Sequence, residues 1–271
     1  LAQAARTPGL EVAAIADIDP ERARAACRAV GWDEDLIAAT RFLESGGELL
    51  ASPEVEVAIE ATGHPAAGVE HALAAAREGK HIVMVNVEAD VLAGPLLAEE
   101  CRRAGVVYSM AYGDQPALIC EMVDWARSCG LEVVAAGKGT KHRPEYHAST
   151  PDTIWGYYGL SPEDAKAGGM NPKMFNSFLD GTKSGIEMAA VANATGLAVP
   201  RGGLGFPACD VDELAEVLRP KSAGGRLEGS GLVEVISSER PEGGPVARDL
   251  RWGVYTVSAA PSDYTARCFR E

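Results

Sequence analysis

The sequence predicts an α/β protein that begins with a doubly wound, Rossmann-type parallel sheet and continues into an α+β domain. Short apolar runs that suit strands buried on both faces alternate with stretches of helical pattern. The connections between them are short, and glycines stand where several predicted helices end. Because parallel strands need a crossover connection, usually a helix, this alternation predicts a parallel sheet with helices on its faces.

Four apolar runs supply the predicted strands, namely residues 12–16, 55–61, 81–86 and 106–111. The helix after the first run has Asp19 as its N-cap and Pro20 in its first turn, which are favoured residue types there. Further helices are predicted at residues 66–78, before Gly79, and 94–104, before Gly105. Between the first two strands, up to Ser52, we expect a loop and a weak helix.

The second part of the chain has a different pattern. An amphipathic helix at residues 115–129 precedes a strand at 131–136, and later strands are predicted at 232–237 and 251–258. Residues 144–175 are rich in Pro, Gly, Tyr and Trp, with little periodicity, which is typical of a long functional loop. We therefore divide the chain into a dinucleotide-binding domain, residues 1–113, and an α+β substrate and oligomerisation domain, residues 114–271.

Both domains are expected to be truncated. The chain starts at Leu1 within a predicted helix, and its last residues, through Glu271, continue a helical pattern. The Gly-x-Gly-x-x-Gly turn of dinucleotide-binding sheets is absent. The sequence therefore predicts a fragment of a longer protein, whose first strand and phosphate turn would precede Leu1.

Composition argues against several classes of function. The 271 residues carry 25 basic and 39 acidic side chains, a net charge of −14, so nucleic acid is not the expected partner. No apolar run approaches the roughly 20 residues of a membrane span, and residues 1–10 do not form a signal peptide. The six cysteines show neither metal-binding spacing nor a disulfide framework. These features predict a reduced, cytoplasmic protein without a membrane anchor.

Polar residues and a glycine follow three of the predicted strands, and ligands of doubly wound sheets bind at the carboxyl ends of strands. Asp17 is placed to accept the ribose hydroxyls of a dinucleotide, and Gly63 lets backbone approach the cofactor. The alternative is that Asp17 only caps the next helix. The predicted cofactor-binding residues are Asp17, Ala61, Thr62, Gly63, Asn86 and Glu88.

Four polar residues, Asn176, Asp180, Lys183 and Glu187, share one face if residues 176–196 form a helix. Burying unpaired charge is costly, so such a face suits an active-site wall where charges pair with each other and with a polar substrate. The alternative is a solvated surface with an ion pair between Asp180 and Lys183.

A basic, glycine-containing segment, residues 137–143, stands out in this acidic chain. Backbone N–H groups and the ammonium groups of Lys138 and Lys141 fit an anion site, although the spacing is not that of a P-loop. The alternative is a solvated loop. His147 and Asp152 follow in the irregular segment and could assist proton transfer or hold a metal, but a lone histidine is more often structural.

Several motifs resemble those of known oxidoreductases. Residues 60–65 and 79–86 are similar to homoserine-dehydrogenase-like, NAD(P)-dependent proteins. Residues 112–117, 137–141, 170–184 and 249–255 resemble the 1-deoxy-D-xylulose 5-phosphate reductoisomerase-like proteins, often labelled SAF-domain oxidoreductases. The resemblance extends over essentially the whole chain, although family members begin with a glycine-rich turn and continue into a SAF domain.

The resemblance implies an NADPH-dependent enzyme of isoprenoid biosynthesis that isomerises and reduces 1-deoxy-D-xylulose 5-phosphate to 2-C-methyl-D-erythritol 4-phosphate. Other small sugar phosphates or sugar acids would fit the same scaffold. Asp17 would repel the 2′-phosphate of NADP(H), whereas Arg22 and Arg24 could offset that repulsion, so we expect NADP(H) first and NAD second. A phosphorylated small molecule is the expected substrate, and a homo-oligomer the expected assembly.

On this hypothesis, Lys183 polarises the carbonyl group that is reduced and supplies its proton. Lys138 and Lys141 hold a phosphate or the oxygens of an enediolate. Stabilisation of developing negative charge is usually the largest catalytic contribution, and losing one such donor typically lowers the rate by ~10²–10³.

The carboxylates of Asp180 and Glu187 orient Lys183 or hold a divalent ion, with Mg²⁺ or Mn²⁺ favoured by oxygen ligands. Asn176 binds a substrate hydroxyl. Two alternatives stay open. One is a dehydrogenase that acts on homoserine or another small molecule, and the other is a non-catalytic sensor that retains the dinucleotide fold.

Overall fold

The computed structural model describes residues 1–269, which fold as two compact units, residues 1–111 and the residues from Tyr112 onward. The helical continuation expected through Arg270 and Glu271 lies outside the described residues. Within residues 1–269, none of the helices combines the length and hydropathy that crossing a membrane requires.

The first unit is a parallel α/β structure. Strands β1 (Ala14–Ala16) and β2 (Arg41–Leu43) pair in parallel, and β3 (Val57–Glu60), β4 (His81–Met84) and β5 (Tyr108–Met110) form a second parallel group in that order. The helices of this unit are α1 (Pro20–Ala29), α2 (Glu34–Ala39), α3 (Gly46–Leu50), α4 (Pro65–Arg77) and α5 (Val87–Arg103), after a 3₁₀ turn at Ala4–Arg6. Strands and helices alternate as predicted, and the Rossmann-type α/β class is confirmed.

One face of β3 and β4 packs against α4 and α5. The alternating strand residues on this face are buried, while their neighbours Val57 and Ile59 are exposed. Buried apolar side chains of this core include Ala58, Ile82, Met84, Ala72, Ala89 and Leu97. The last residue of β3 on the same face is not apolar but Glu60.

Three details of this unit differ from the prediction. The helix expected at the start of the chain is only a 3₁₀ turn, Ala4–Arg6. The segment expected as a loop and weak helix contains β2 and two short helices, because three strand residues are too few for a recognisable alternation. Helix α5 begins at Val87 rather than at residue 94, because the Asn86 side chain caps it by accepting a hydrogen bond from the Ala89 N–H at 3.1 Å. Gly94 and Pro95 therefore lie inside the helix.

The second unit is an α+β structure around a mixed sheet. Strand β6 (Glu132–Thr140) lies between β7 (Leu232–Ser237), which is parallel to it, and β8 (Val254–Ala259), which is antiparallel. The α-helices of this unit are α6 (Gln115–Ser128), α7 (Ile154–Tyr158), α8 (Pro162–Ala167), α9 (Pro172–Leu179), α10 (Thr182–Thr195), α11 (Leu214–Val217) and α12 (Asp263–Cys268).

Helices α6 and α10 pack on one face of this sheet. Their core partners come from β6 and β7, and the cluster includes Ile119, Val123, Met188, Val191, Val233 and Val235. The opposite face of the sheet packs against a second cluster that includes Cys209, Leu218, Leu227, Ile236 and Tyr255. The direction of each β6 side chain therefore decides which of the two cores it meets.

The prediction of an anion-binding loop at residues 137–143 is wrong for its first half. Gly137 to Thr140 belong to β6, and their backbone is paired with β7 and β8. A side chain at Gly137 would overlap the carbonyl oxygen of Glu234, and one at Gly139 would overlap that of Leu250. These glycines allow close approach of neighbouring backbone, and their N–H groups do not form an anion cradle.

Gly139→Ala should therefore destabilise the protein by about 1–3 kcal/mol or more, since a Cβ at this position would meet backbone that cannot rotate away. The measurement is urea unfolding. The matched control is Gly185→Ala in α10, where a Cβ meets nothing within 4 Å and the helix should gain up to about 1 kcal/mol. Equal stability of the two variants would contradict the close approach.

The segment 144–175 is not a single irregular loop. It contains a 3₁₀ helix, Pro144–Ala148, followed by α7, α8 and α9, which are too short to show a helical period in the sequence. These elements enclose a small core of their own, formed by Tyr146, Ile154, Trp155, Ala165 and Leu179. The segment leaves the sheet at the end of β6 and returns at the start of α10.

Candidate active site

Asp17 follows the last residue of β1, at the carboxyl end of the strand. Its backbone N–H donates to the carbonyl oxygen of Leu43, which continues the pairing with β2. Its Oδ1 accepts hydrogen bonds from the Asp19 N–H at 2.9 Å and from Arg22 Nη2 at 2.7 Å. The bond to Asp19 forms a turn before α1, and the helix is capped by Asp19, which accepts from the Arg22 N–H at 3.0 Å, so the alternative that Asp17 only caps the helix is wrong. Both bonds go to Oδ1, so Oδ2 is the oxygen that a ribose hydroxyl could approach.

The two arginines that follow Asp17 differ in their partners. Arg22 is the one that pairs with Asp17, and most of its side chain is exposed. Arg24 instead pairs with Glu21 at 3.1 Å, and its guanidinium lies 4.1 Å from the ring centre of Phe42. Arg22 is therefore the arginine that can act on a ligand group close to Asp17.

An exposed turn, residues 61–64, follows the carboxyl end of β3. Gly63 has a φ of +68°, in the left-handed region that glycine adopts without strain. The Thr62 hydroxyl donates to Glu60 Oε1 at 2.6 Å. The predicted residues Ala61, Thr62 and Gly63 thus lie on an accessible turn at a strand end.

Asn86 is buried and holds this turn. Its amide Nδ2 donates to Thr62 Oγ1 at 3.3 Å and to the His64 carbonyl oxygen at 3.1 Å, while its oxygen caps α5. Both amide hydrogens are therefore used inside the protein, which makes Asn86 a support of the turn. Glu88 is half-buried in the first turn of α5, where a negative charge interacts favourably with the helix dipole.

Each of these residues has chemistry that suits a nicotinamide dinucleotide. Its ribose hydroxyls need an accepting carboxylate at a strand end, and Asp17 offers one. Its approach to backbone needs an accessible turn, which Gly63 and its neighbours provide at the end of β3. We therefore retain Asp17, Thr62 and Gly63 as predicted cofactor contacts.

In the second unit, one carboxylate lies between two lysine ammonium groups. Lys138 of β6 is 7% exposed and donates through Nζ to Oε2 of Glu187, which is 4% exposed and belongs to α10. Lys183, one helical turn before Glu187, has its Nζ 3.8 Å from Oε1 of the same carboxylate. Lys183 is about one-quarter exposed, so it is the accessible cation of the cluster.

The sheet places Lys138 where an apolar residue would be expected. Lys138 lies beside Val235 in the register of β6 and β7, and Val235 belongs to the core under α6 and α10. A lysine buried there without a counter-charge would be strongly unfavourable, and Glu187 supplies that charge. We refer to Lys138, Glu187 and Lys183 as the lysine–glutamate cluster.

The prediction that four polar residues share one helix face is wrong, because two helices replace the expected one. Helix α9 ends at Leu179, and Gly181, with a φ of +90°, turns the chain into α10. Asp180 builds this corner: its Oδ1 accepts from the Thr182 N–H at 2.8 Å and its Oδ2 from Asn176 Nδ2 at 2.8 Å. Lys183 and Glu187 do share a face of α10.

Asn176 keeps one hydrogen-bonding atom without a protein partner. Its Oδ1 is buried and accepts no hydrogen bond from the described residues. Buried polar atoms are nearly always paired, so an orphan acceptor indicates a place for a ligand or water. This oxygen is as deeply buried as Lys138, so an internal water could satisfy it, and the role of Asn176 in binding a hydroxyl stays a prediction.

Lys141 does not join the lysine–glutamate cluster. Its Nζ donates to the Tyr157 carbonyl oxygen at 2.8 Å and lies 3.5 Å from Oε1 of Glu239. The same ammonium lies 5.8 Å from the ring centre of Tyr146 and 5.6 Å from that of Tyr158. Lys141 therefore links the start of the segment after β6 to Tyr157 and Glu239, and it does not pair with Glu187.

Two histidines meet beside the α9–α10 corner. The rings of buried His142 and exposed His147 lie 4.7 Å apart, and His147 Nδ1 is 2.8 Å from the Asp180 carbonyl oxygen. Burial lowers the pKa of His142, and the nearby His147 lowers it further. The ring centre of Phe206 lies 4.0 Å from that of His142. Phe206 has a backbone φ of +47°, which is strained for a phenylalanine. Asp152, in contrast, is exposed.

The hypothesis that Asp180 and Glu187 hold a divalent ion gains no support from this geometry. Asp180 uses both carboxylate oxygens in hydrogen bonds, and Glu187 uses both in contacts with lysines. In the part of the chain that the structure describes, no group of three or more His, Cys, Asp or Glu side chains could hold a metal.

Comparisons with known proteins place the chain in a class. Residues 1–108 match the family described as "Homoserine dehydrogenase, NAD binding domain", and residues 113–271 match "Oxidoreductase DRL, catalytic domain". The parallel α/β unit and these two matches define an NAD(P)-dependent oxidoreductase. Because the second match covers more than half of its residues, the chain belongs to the oxidoreductase DRL family.

Two curated relatives share part of the sequence. The chain is 35% identical over 113 residues to 1-deoxy-D-xylulose 5-phosphate reductoisomerase of Dechloromonas aromatica (strain RCB), covering 40% of this chain and 27% of the relative. It is 30% identical over 132 residues to the enzyme of the same name from Stutzerimonas stutzeri (strain A1501), covering 47% and 32%. The matches thus span about a third or less of these relatives.

Similar solved structures are distant in sequence. A probable dehydrogenase from Thermotoga maritima aligns with a TM-score of 0.42 at 16% identity, covering 91% of this chain and 63% of that one. The WlbA dehydrogenase from Bordetella pertussis, solved in complex with NADH and UDP-GlcNAcA, aligns with a TM-score of 0.36 at 23% identity, covering 52% and 43%.

Proposed function

We propose that the protein reduces the carbonyl group of a small phosphorylated keto-sugar with NAD(P)H, in the manner of a 1-deoxy-D-xylulose 5-phosphate reductoisomerase. The observation that carries the proposal is the lysine–glutamate cluster, in which a buried ion pair holds a third, accessible charge, that of Lys183. The names of the two curated relatives support the substrate class. The first unit binds the cofactor, and the second unit binds the substrate.

Lys183 is the proposed catalytic residue. When bound, a reduced nicotinamide supplies the hydride for the carbonyl carbon. The ammonium of Lys183 stabilises the negative charge that develops on the carbonyl oxygen and then donates a proton to it. Its partial exposure allows substrate contact, which the deeper burial of Lys138 does not.

Lys138 and Glu187 are proposed as positioning residues. The Lys138 ammonium anchors Glu187 from the sheet, and Glu187 in turn holds Lys183 through its second oxygen. This role replaces the expectation from the sequence that Lys138 contacts a substrate phosphate directly.

For the cofactor we propose NADP(H) before NAD, on the basis of the ion pair between Arg22 and Asp17. A 2′-phosphate near Asp17 would be repelled by the carboxylate and attracted by the exposed guanidinium, which can bind phosphate in a bidentate manner. Without Arg22, the repulsion alone would remain.

Arg22→Ala should therefore weaken NADPH binding about tenfold, equivalent to about 1.4 kcal/mol, while NADH binding stays within about twofold of wild type. The measurement is titration of each reduced cofactor followed by its fluorescence. The control is Arg28→Ala in the same helix, whose partner is Glu34 and which should change neither affinity. Equal loss of both cofactors would assign Arg22 to the fold of this unit and not to phosphate recognition.

The proposed function is tested by turnover. The purified protein is mixed with NADPH or NADH and with 1-deoxy-D-xylulose 5-phosphate or other small keto-sugars, or with homoserine and an oxidised cofactor, and the absorbance of the reduced cofactor is followed. Consumption of NADPH with the keto-sugar phosphate is expected. Turnover with homoserine alone would replace the proposed substrate, and cofactor binding without any turnover would favour a sensor.

A further inference from the structure

A charged residue ends strand β3 inside an otherwise apolar core. The side chain of Glu60 is 3% exposed and lies on the same face as Ala58, beside Met84 of the neighbouring strand. An apolar side chain at this position would avoid the desolvation of a carboxylate, which is unfavourable. Packing therefore does not explain the carboxylate, which indicates another role for Glu60.

Glu60 is ionised in the folded protein. Burial alone would raise its pKa, but hydrogen bonds from His71 and from the Thr62 hydroxyl and N–H outweigh burial and lower the pKa to about 2. The side chain also lies close to Gly68, within the first turns of α4 and near the start of α5. Helix N-termini carry partial positive charge, which favours an anion there.

An ionised carboxylate can only accept hydrogen bonds, and this sets the direction of every bond around Thr62. Oε1 of Glu60 accepts from the Thr62 N–H at 3.2 Å and from the Thr62 hydroxyl at 2.6 Å. Because the hydroxyl hydrogen points to Glu60, its lone pairs are free to accept from the Asn86 amide and from the His64 N–H, both at 3.3 Å.

The bonds so directed converge on the exposed turn, residues 61–64. Asn86 adds a second link by donating to the His64 carbonyl oxygen, and His71 Nδ1 lies 3.3 Å from Oε1 of Glu60. The ring of His71 fills the space that a side chain at Gly46 would need, so α3 also packs against this network. Movement of the turn would therefore break these polar contacts, most of which are partly buried.

We propose that Glu60 is a positioning residue for the nicotinamide dinucleotide, which it serves by fixing the backbone of the turn at residues 61–64 through Thr62 and Asn86. Glu60 and Asn86 are both buried and act through the turn rather than by touching the cofactor. The inference rests on the proposed function, because it requires the turn to contact the cofactor.

The test is the affinity of Glu60→Gln for NADH and NADPH, measured by cofactor fluorescence together with thermal unfolding. A glutamine either sets its NH₂ group against the Asn86 amide or donates to the Thr62 hydroxyl, and either choice conflicts with the bonds described above. Both affinities should fall about tenfold, as expected when a support of a binding group is lost. Amide hydrogen exchange at Thr62 and His64 should become faster.

The matched control is Thr40→Val in the same unit. The buried Thr40 hydroxyl bonds to the Leu36 carbonyl oxygen at 2.9 Å and to that of Val12 at 3.3 Å, away from the turn. This variant should lose stability while both cofactor affinities stay within about twofold of wild type. Should Thr40→Val weaken cofactor binding as much as Glu60→Gln, general destabilisation would explain the effect and Glu60 would have no positioning role.

A second variant keeps the inference testable if Glu60→Gln does not fold. Asn86→Ser retains a good N-cap residue for α5 but removes both amide links to the turn, so the same loss of affinity is expected. Wild-type affinity in a folded Glu60→Gln or Asn86→Ser protein would overturn the positioning role of Glu60 but leave the proposed function standing. If the wild-type protein bound neither cofactor, the proposed function would fall and the positioning role with it.

Discussion

Lys183→Met should lower the turnover number for carbonyl reduction by roughly 10²–10⁴ and leave the dissociation constants of NADH and NADPH unchanged. The ammonium of Lys183 is the accessible charge of the lysine–glutamate cluster, and methionine keeps most of its length while removing the proton donor. The predicted cofactor contacts belong to the first unit, whereas Lys183 belongs to α10 of the second. Steady-state kinetics and fluorescence titration of the cofactor separate the two effects.

The control for this variant is Lys166→Met in α8. Lys166 is exposed and belongs to a different helix. Its replacement removes one positive charge, as Lys183→Met does, but leaves the lysine–glutamate cluster intact. Its turnover number should match that of the wild type. A Lys183→Met protein with wild-type turnover would remove Lys183 from the mechanism, and a parallel loss in Lys166→Met would assign the effect to overall charge.

Local features of the sequence were enough to predict part of this site. Residues 183 and 187 are one helical turn apart, and side chains at that spacing meet on any helix, whatever surrounds it. Asp17 follows a short apolar run and precedes a capped helix, so its place at a strand end was also readable. In each case the deciding partner lies within a few residues along the chain.

Distant partners explain what the sequence did not reveal. Lys138 and Glu187 are 49 positions apart, and their contact requires β6 to continue through the Gly-Lys-Gly segment. The glycines there resemble loop signals. They are instead required because a side chain would overlap the carbonyl groups of Glu234 and Leu250, which come from other parts of the chain. Glu60 was missed because one acidic residue at the end of an apolar run looks like a solvated position, and its burial depends on helices α4 and α5.

Glu187→Leu should destabilise the protein by about 3–5 kcal/mol, because it leaves the buried Lys138 ammonium without its counter-charge. Urea unfolding followed by tryptophan fluorescence measures this loss, since Trp125, Trp155 and Trp252 report on the second unit. A variant as stable as the wild type would contradict the buried ion pair. Carbonyl reduction should also be lost, but in this single variant a loss of activity and a loss of structure are not separated.

The double variant Lys138→Met with Glu187→Leu separates them. Replacing both partners of a buried ion pair by apolar residues of similar size often leaves stability unchanged or higher, since neither charge is then left unpaired. We therefore expect unfolding within about 1–2 kcal/mol of the wild type, while the turnover number stays at least ~10² lower because Lys183 has lost the carboxylate that positions it. If the double variant regained both stability and turnover, the buried pair would serve the fold alone, and Lys183 would act without Glu187.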